Sequence, residues 1–376
     1  MSVIRTGVEL LFSKTKTDVT QDIAPDLLLF QYTDKETDEA DEISLTLKDP
    51  DHKWAGTWKP DGGEQVIASI LSGEMTDGLS TILTTIKNAI QGESTRLPCG
   101  TFHIDSLRVA GSPSVMEMKG VSIPLDTPIR KKLKSKSWEK TTLKAIATAI
   151  AKSNNVGLMW DCEDNPELDR QDQKRETDLK FLSKICKENG MSIKVTETQI
   201  VIFDQKSYES KPSVKTFTLG VSSILSWDFE SRQSETYKSV TVTYRDPRKK
   251  KRGSAGSHNT DSTTTATSGK NPAVNTYTYT DPNANEEGQE YTLKKRATSI
   301  ADAKRLAQAK LRELNKRQVE GNLTVIGDVG IVAGVVITVA GFGSFDGRFI
   351  VEEANHSVGT SGYTTQMKLR RVNNEY

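Results

Sequence analysis

Glu42-Ile43-Ser44-Leu45-Thr46-Leu47-Lys48 sets an apolar side chain at every second position. Strict alternation over this length predicts a strand with one face buried and the other wet. The pattern repeats on either side. Asp26-Leu27-Leu28-Leu29-Phe30-Gln31-Tyr32 is a short apolar run, separated from the first strand by an acidic turn, Asp34 to Asp41. Gln65-Val66-Ile67-Ala68-Ser69-Ile70 and Gly100-Thr101-Phe102-His103-Ile104-Asp105-Ser106-Leu107 read the same way. The first third of the chain is therefore expected to be β.

One segment breaks this rhythm. Leu79, Leu83, Ile86 and Ile90 recur at helical spacing between Gly78 and Gly92, giving a single apolar stripe. Such a stripe most simply packs on its own module. The sharper expectation is that this insert, about 72–96, contacts a neighbouring subunit, which makes these four residues the candidate partner contacts.

The middle third changes period. Six basic residues (Arg130, Lys131, Lys132, Lys134, Lys136, Lys140) face the single acid Glu139 between positions 127 and 140, the composition of a solvated face. Thr141 is the expected N-cap of a helix burying Leu143, Ile146, Ala147 and Ile150, which Asn154-Asn155 ends. Thr177 caps a second helix, with Asp178 in the first turn and Leu179, Leu182, Ile185 and Cys186 inward. Gly190 stands where a left-handed residue closes it. Met191, Ile193 and Val195, then Ile200-Val201-Ile202-Phe203, predict a closing hairpin, so 126–210 reads as a small α+β domain.

The last third is β again. Ser239 to Tyr244 alternates, and 247–290 is then polar and of low complexity, starting with Arg248-Lys249-Lys250-Lys251-Arg252. It is expected to be a flexible insertion loop, because such composition cannot offset ordering entropy by burial. Ser299 with Asp302 opens a helix of about 299–316 lined by Ile300, Ala303, Ala307, Leu311 and Leu314. Short strands follow around 323–326, 335–339, 348–352 and 364–369. The fold class expected is α+β, mainly β: two β-barrel modules, 1–125 and 211–376, with the α+β domain between them.

Composition excludes several functions. Lys plus Arg total 51 and Asp plus Glu 50, a formal net charge of +1, without the basic excess that stable nucleic-acid binding needs. Cys99, Cys162 and Cys186 are an odd, widely spaced set, expected to be reduced buried thiols. No secretory signal is legible at the N-terminus. The apolar stretch Val325 to Gly343 contains Asp328 and five glycines, and falls short of the about 20 residues a spanning helix requires, so no transmembrane segment is expected.

Chemistry is equally sparse. His52, His103, His258 and His356 have no His or Cys partner at metal-ligand spacing, so no metal and no cofactor is expected. Cys162 lies among Asp161, Glu163 and Asp164, which raise a thiol's pKa. Gly341-Phe342-Gly343-Ser344-Phe345-Asp346-Gly347 has the wrong spacing for a dinucleotide loop and no helix after it. Acidic pairs such as Asp34 with Asp41, or Asp169 with Asp172, could serve a glycosidase only at separations that sequence does not give. No catalytic residue is assigned, and the chain is expected not to be an enzyme.

Several of these segments, taken in order, resemble the phage late control gene D family of baseplate hub proteins, related to the N-terminal region of VgrG spikes. The resemblance rests on Asp41 to Leu47 followed by Trp54, on Leu97-Pro98-Cys99-Gly100-Thr101-Phe102-His103-Ile104-Asp105, and on Gly111-Ser112-Pro113. It continues through Lys134-Ser135-Lys136-Ser137-Trp138 with Thr141-Thr142-Leu143, and through Glu176 to Leu182. Gly327-Asp328, Ala333-Gly334, Gly347 to Val351, His356 and Gly362-Tyr363-Thr364-Thr365 complete it.

The resemblance implies two barrels similar to tail-tube subunits, so that a homotrimer presents six barrels to a sixfold tube. It implies a structural hub of a contractile phage tail or phage-tail-like bacteriocin, located in the virion or particle baseplate. Its partners would be the tail tube protein, the central spike protein, other baseplate proteins and the tape-measure protein. It gives Trp138 and His356 structural roles. A tail-associated peptidoglycan hydrolase and a carbohydrate-binding receptor module are the competing readings. The chain ends at Tyr376 just after the last predicted strand, which speaks against a fused hydrolase, and five dispersed tryptophans form no evident sugar platform.

Overall fold

The computed structural model describes residues 4–12, 17–37, 40–56, 58, 63–74, 96–122, 127–196, 198–232, 236–245, 274–282 and 288–372. Leu79, Leu83, Ile86 and Ile90 lie outside the described residues, as do 246–273 and 283–287 of the polar stretch.

The first third contributes β1 (Ile4–Phe12), β2 (Thr17–Asp18), β3 (Leu27–Lys35), β4 (Glu42–Lys48), β5 (Gln65–Glu74), β6 (Arg96–Ala110) and β7 (Val115–Val121). The alternation over 42–48 is realised: Ile43, Leu45 and Leu47 are buried, with Ser44 and Thr46 less so. They enter a core with Phe30, Val66, Ile70, Phe102 and Met118.

The middle third holds β8 (Lys134–Thr142), β9 (Gly157–Asp161), β10 (Glu167–Glu176), β11 (Met191–Val195) and β12 (Gln199–Asp204). Its two longer helices, Leu143–Ser153 and Asp178–Glu188, fall where the sequence places them. The first is capped by Thr142 instead of Thr141, its Oγ1 accepting from the Ala145 amide at 3.3 Å. Leu143, Ile146, Ile150, Phe181, Leu182 and Ile185 fill one core with Ile193 and Ile202. The basic run splits: Arg130 and Lys131 end a short helix, Pro128–Lys131, and Lys134, Lys136 and Lys140 lie on β8, which pairs antiparallel with β10 and leaves mostly exposed side chains on the ribbon. β9, joined parallel to β12, completes a three-stranded sheet with β11.

The last third holds β13 (Lys215–Thr218), β14 (Ile224–Ser231), β15 (Tyr237–Arg245), β16 (Val274–Thr280), β17 (Gln289–Ala297), β18 (Val319–Ile326), β19 (Val336–Ala340), β20 (Gly347–Gly359) and β21 (Gly362–Arg371). Two expectations are corrected here. The stretch 247–290 is not loop throughout, because β16 lies within it and pairs with β15; Tyr277 and Tyr279 pack toward an apolar core and supply burial that composition alone hides. The helix Ile300–Asn315 serves its own sheet, β16-β15-β17, through Ala303, Leu306, Ala307 and Leu311, while Ile300 at its start is 55 % exposed.

The first and last thirds share one 13-stranded sheet, ordered β14-β18-β21-β20-β3-β4-β7-β6-β5-β1-β2, with β19 joining β20 to β13. The two halves meet where β20 pairs antiparallel with β3, from Glu353 opposite Lys35 to Gly359 opposite Leu29. Outward from that pair, β4, β7 and β6 follow on one side and β21, β18 and β14 on the other, every step antiparallel. The chain visits them in rotated order: β3, β4, β6, β7 in the first half correspond to β20, β21, β14, β18 in the second. The sheet has two main cores: the first takes in Val358 and Tyr363 from across the seam, and the second is built from Leu323, Phe349, Val351, Met367 and Leu369.

Candidate functional site

Three buried polar clusters lie where the β3–β20 seam meets the rest of the molecule. In the first, Asp34 at the end of β3 and Asp41 just before β4 converge on Lys194 of β11. Lys194 Nζ is 2.7 Å from Asp34 Oδ1 and 3.2 Å from Asp41 Oδ1. The other Asp34 oxygen accepts from the Ala333 amide at 2.9 Å, so one carboxylate ties the first third, the middle and the last third together. Asp41 accepts from the Lys35 amide, and its own amide donates to Ser122 Oγ. Burial pushes the Asp41 carboxyl up to about 6, against the pull of Lys194. Burial alone would lower the Lys194 ammonium, but Asp34 and Asp41 hold it above its usual range.

The second cluster centres on Glu209, in the short helix Gln205–Ser210. Arg370 of β21 donates to Glu209 Oε1 at 2.5 Å, and Arg312 of the helix Ile300–Asn315 donates to Oε2. Arg370 also reaches Glu352 Oε1 at 3.1 Å. Glu36 lies 3.6 Å from Arg370 Nη2 without a hydrogen bond at its facing oxygen, and burial raises its carboxyl above the usual range. Glu209 and Glu352 are thus the principal counter-ions. Arg348 Nη2 donates to the Glu209 carbonyl at 2.9 Å, fastening the end of the middle third to β20.

The third cluster surrounds His356. The Ile331 carbonyl, 2.9 Å from Nε2, requires the proton there, so Nδ1 accepts from the Tyr363 hydroxyl at 2.8 Å. Burial lowers the ring to about 4, and it stacks on Tyr32 across the seam. Both nitrogens are engaged, the state of a packed histidine and not of a ligand. Tyr363 in turn covers Gly327, where an added Cβ would come within 2.0 Å of its ring.

The geometry offers rigidity and little reactivity. Asp34 and Asp41 do share a site, but Lys194 and backbone amides occupy their oxygens. Asp172 is bound by Ser137 Oγ and Arg170 Nε. Cys99 and Cys186 are buried as expected, whereas Cys162 is only half-buried. Burial first, then Asp204, Asp161 and Asp164, push the Cys162 thiol up to about 12, leaving it un-ionised at neutral pH. Among the described residues no group of three His, Cys, Asp or Glu side chains could hold a metal ion, and no helix is long and apolar enough to cross a membrane.

Sequence reasoning missed Lys194, Glu209, Arg312 and Arg370, because the pairs Lys194–Asp34, Glu209–Arg312 and Glu209–Arg370 each join segments more than 100 residues apart. The acidic turn 34–41 was the available signal for one end of the first cluster.

The two-sided sheet, tied to the middle third by buried ion pairs, has a fold that solved phage tail proteins share. The tail protein from Neisseria meningitidis MC58 superposes with a TM-score of 0.64 at 14% identity, covering 97% of this chain and 96% of that one. The 43 kDa tail protein of prophage MuSo2 from Shewanella oneidensis gives 0.65 at 12% identity, covering 98% of each. The family model for the phage tail baseplate hub (GPD) matches residues 129–362, and the chain belongs to that family. A probable baseplate hub protein of Escherichia phage 186 is 23% identical, covering 94% of this chain and 90% of that protein. The chain is therefore a baseplate hub of a phage tail, a structural component of the virion.

Proposed function

We propose that three copies of this hub join a sixfold tail tube to a threefold central spike, in a contractile phage tail or a headless phage-tail-like particle. Each copy supplies two tube-like β modules, 1–125 and 211–376, with the α+β domain 126–210 between them. The three-stranded unit with its helix is inserted in the second module. The observation that carries this reading is the matching strand order on the two sides of the β3–β20 pair. A chain with two like modules lets a three-copy ring present six, which removes a symmetry mismatch through closed cyclic contacts. The assembly is non-catalytic, and near-neutral charge keeps whatever passes through it, nucleic acid or tape-measure protein, from sticking.

The open edge of the sheet supports the same reading. β14 is an edge strand carrying exposed Leu225 and Trp227, with Val221 and Ile326 exposed nearby. Unpaired edges with apolar side chains are templates for another chain. This edge and the stripe Leu79, Leu83, Ile86 and Ile90 are the proposed contacts between copies, and the hub also meets other baseplate proteins.

Light scattering on the chain, alone and mixed with the tube and spike proteins of the same particle, tests the proposal. The expected complex contains three hub copies, and Trp227→Glu or the pair Leu83→Glu and Ile86→Glu block it while the monomer stays folded. A stable complex with another hub number, or cell-wall hydrolysis that survives further purification, rejects it.

A further inference from the structure

A groove of about 460 Å³ runs between the helix Asp178–Glu188 of the middle third and the helix Ile300–Asn315, with β17 as its third wall. Leu293 and Leu306 give it an apolar floor. Its rim is basic. Lys180 and Lys184 project from the first helix and Lys310 from the second, and among the described residues none of the three has a carboxylate within ion-pair distance. The two acids that line the groove are already engaged: Glu188 pairs with Lys295 at 2.6 Å and Glu313 with Lys316 at 2.6 Å. The lining therefore keeps uncompensated positive charge in a chain whose total is +1.

We propose that this groove is a docking site for an acidic, amphipathic peptide segment of a partner protein, its apolar residue seated on Leu293 and Leu306 and its carboxylates on Lys180, Lys184 and Lys310. Lysines on opposite walls can bracket a segment from both sides, and the apolar floor favours a peptide over a bare polyanion. Lys310 also lies 5.0 Å from the Tyr291 ring, which limits the freedom it loses on binding. The site is distinct from the edge strand, and it does not depend on trimer formation. It couples the middle third to the inserted three-stranded unit, so an occupant would clamp the two.

The test uses the full chain and fluorescence anisotropy of a fluorescein-labelled helical peptide built from Glu, Leu and Ala. A Lys-for-Glu counterpart and a single-stranded oligonucleotide serve as controls. Saturable binding of the acidic peptide is expected, weakening as salt rises. The double variant Lys184→Glu/Lys310→Glu should weaken it about tenfold or more, with circular dichroism unchanged. If that variant fails to fold, Lys184→Gln/Lys310→Gln should still show a clear loss. Absence of binding to the native chain overturns the proposal, as does equal affinity in the folded variants. Tighter binding of the oligonucleotide also overturns it, assigning the groove to a polyanion.

Discussion

Arg370 and Glu209 stand 161 positions apart, yet their side chains meet at 2.5 Å with each only 2 % exposed. One carboxylate accepts from two arginines on different elements, because Arg312 takes its second oxygen. Glu209→Ala leaves both guanidiniums buried without their main counter-ion. Removing one member of such a cluster costs about 3–5 kcal/mol. Urea unfolding should show the midpoint falling accordingly, and a loss below about 1 kcal/mol would mean Glu352 and Glu36 already suffice.

Asp178 performs a similar role inside the middle third. It accepts from Lys134 Nζ, from Asn154 Nδ2 at 2.9 Å and from Gln173 Nε2 at 3.0 Å. Burial alone would raise its carboxyl, but these bonds outweigh burial and hold it below the usual range. Asp178→Ala should destabilise the chain by about 3 kcal/mol, since three donors lose one acceptor. Thr177→Ala, which removes only the helix cap, should cost about 1 kcal/mol in the same assay. Equal losses for the two variants would contradict this ordering.

Asp41 and His356 give stability opposite pH slopes. Asp41 is raised from 3.8 to about 6, so the folded chain holds that proton more tightly than the unfolded one. Its contribution is whole below about 4 and is lost as pH rises through about 6. His356 is lowered from 6.5 to about 4, so its contribution is whole above 6.5 and is lost as pH falls through about 4. Between these limits the two oppose each other. Asp41→Asn removes one slope and should make stability fall more steeply on acidification from 6.5 to 4. Denaturant midpoints measured across that range, for native and variant chains, decide the matter; parallel curves would refute the assignment.

Gly327 is required by its neighbour. A Cβ there would lie 2.0 Å from Tyr363 Cγ, and Tyr363 cannot swing away without leaving His356. Gly327→Ala should cost about 1–3 kcal/mol through overpacking. Tyr363→Leu in the same background should recover part of that loss, while no recovery would place the strain elsewhere.

Much of this was legible in the residues. Period-two alternation located β4 almost to the residue, and the capping pairs at Thr177 and Ser299 located two helices, because these signals are local. The segments that carried the family resemblance prove to be contact points. Lys134 of one motif pairs with Asp178 of another, and Gly327, Asp328, His356, Tyr363 and Thr365 gather around one ring. What stayed hidden was non-local. β16 sits in a polar stretch whose burial depends on a helix that begins 20 residues later, and β8 is a charged ribbon strand stabilised by β10. The joining of both halves into one sheet rests on a pairing between residues some 320 positions apart, for which no periodicity speaks.

That pairing also orders events in time. During synthesis β3 emerges early, while the strand that covers its inner edge is made only near the end of the chain. Contacts of such long sequence separation form slowly. Until β20 arrives, a nascent hub carries a bare, hydrogen-bond-hungry flank able to capture a sibling chain. Truncated or slowly translated hubs should therefore aggregate, and refolding yield should drop with concentration more sharply than for a protein whose sheets close locally.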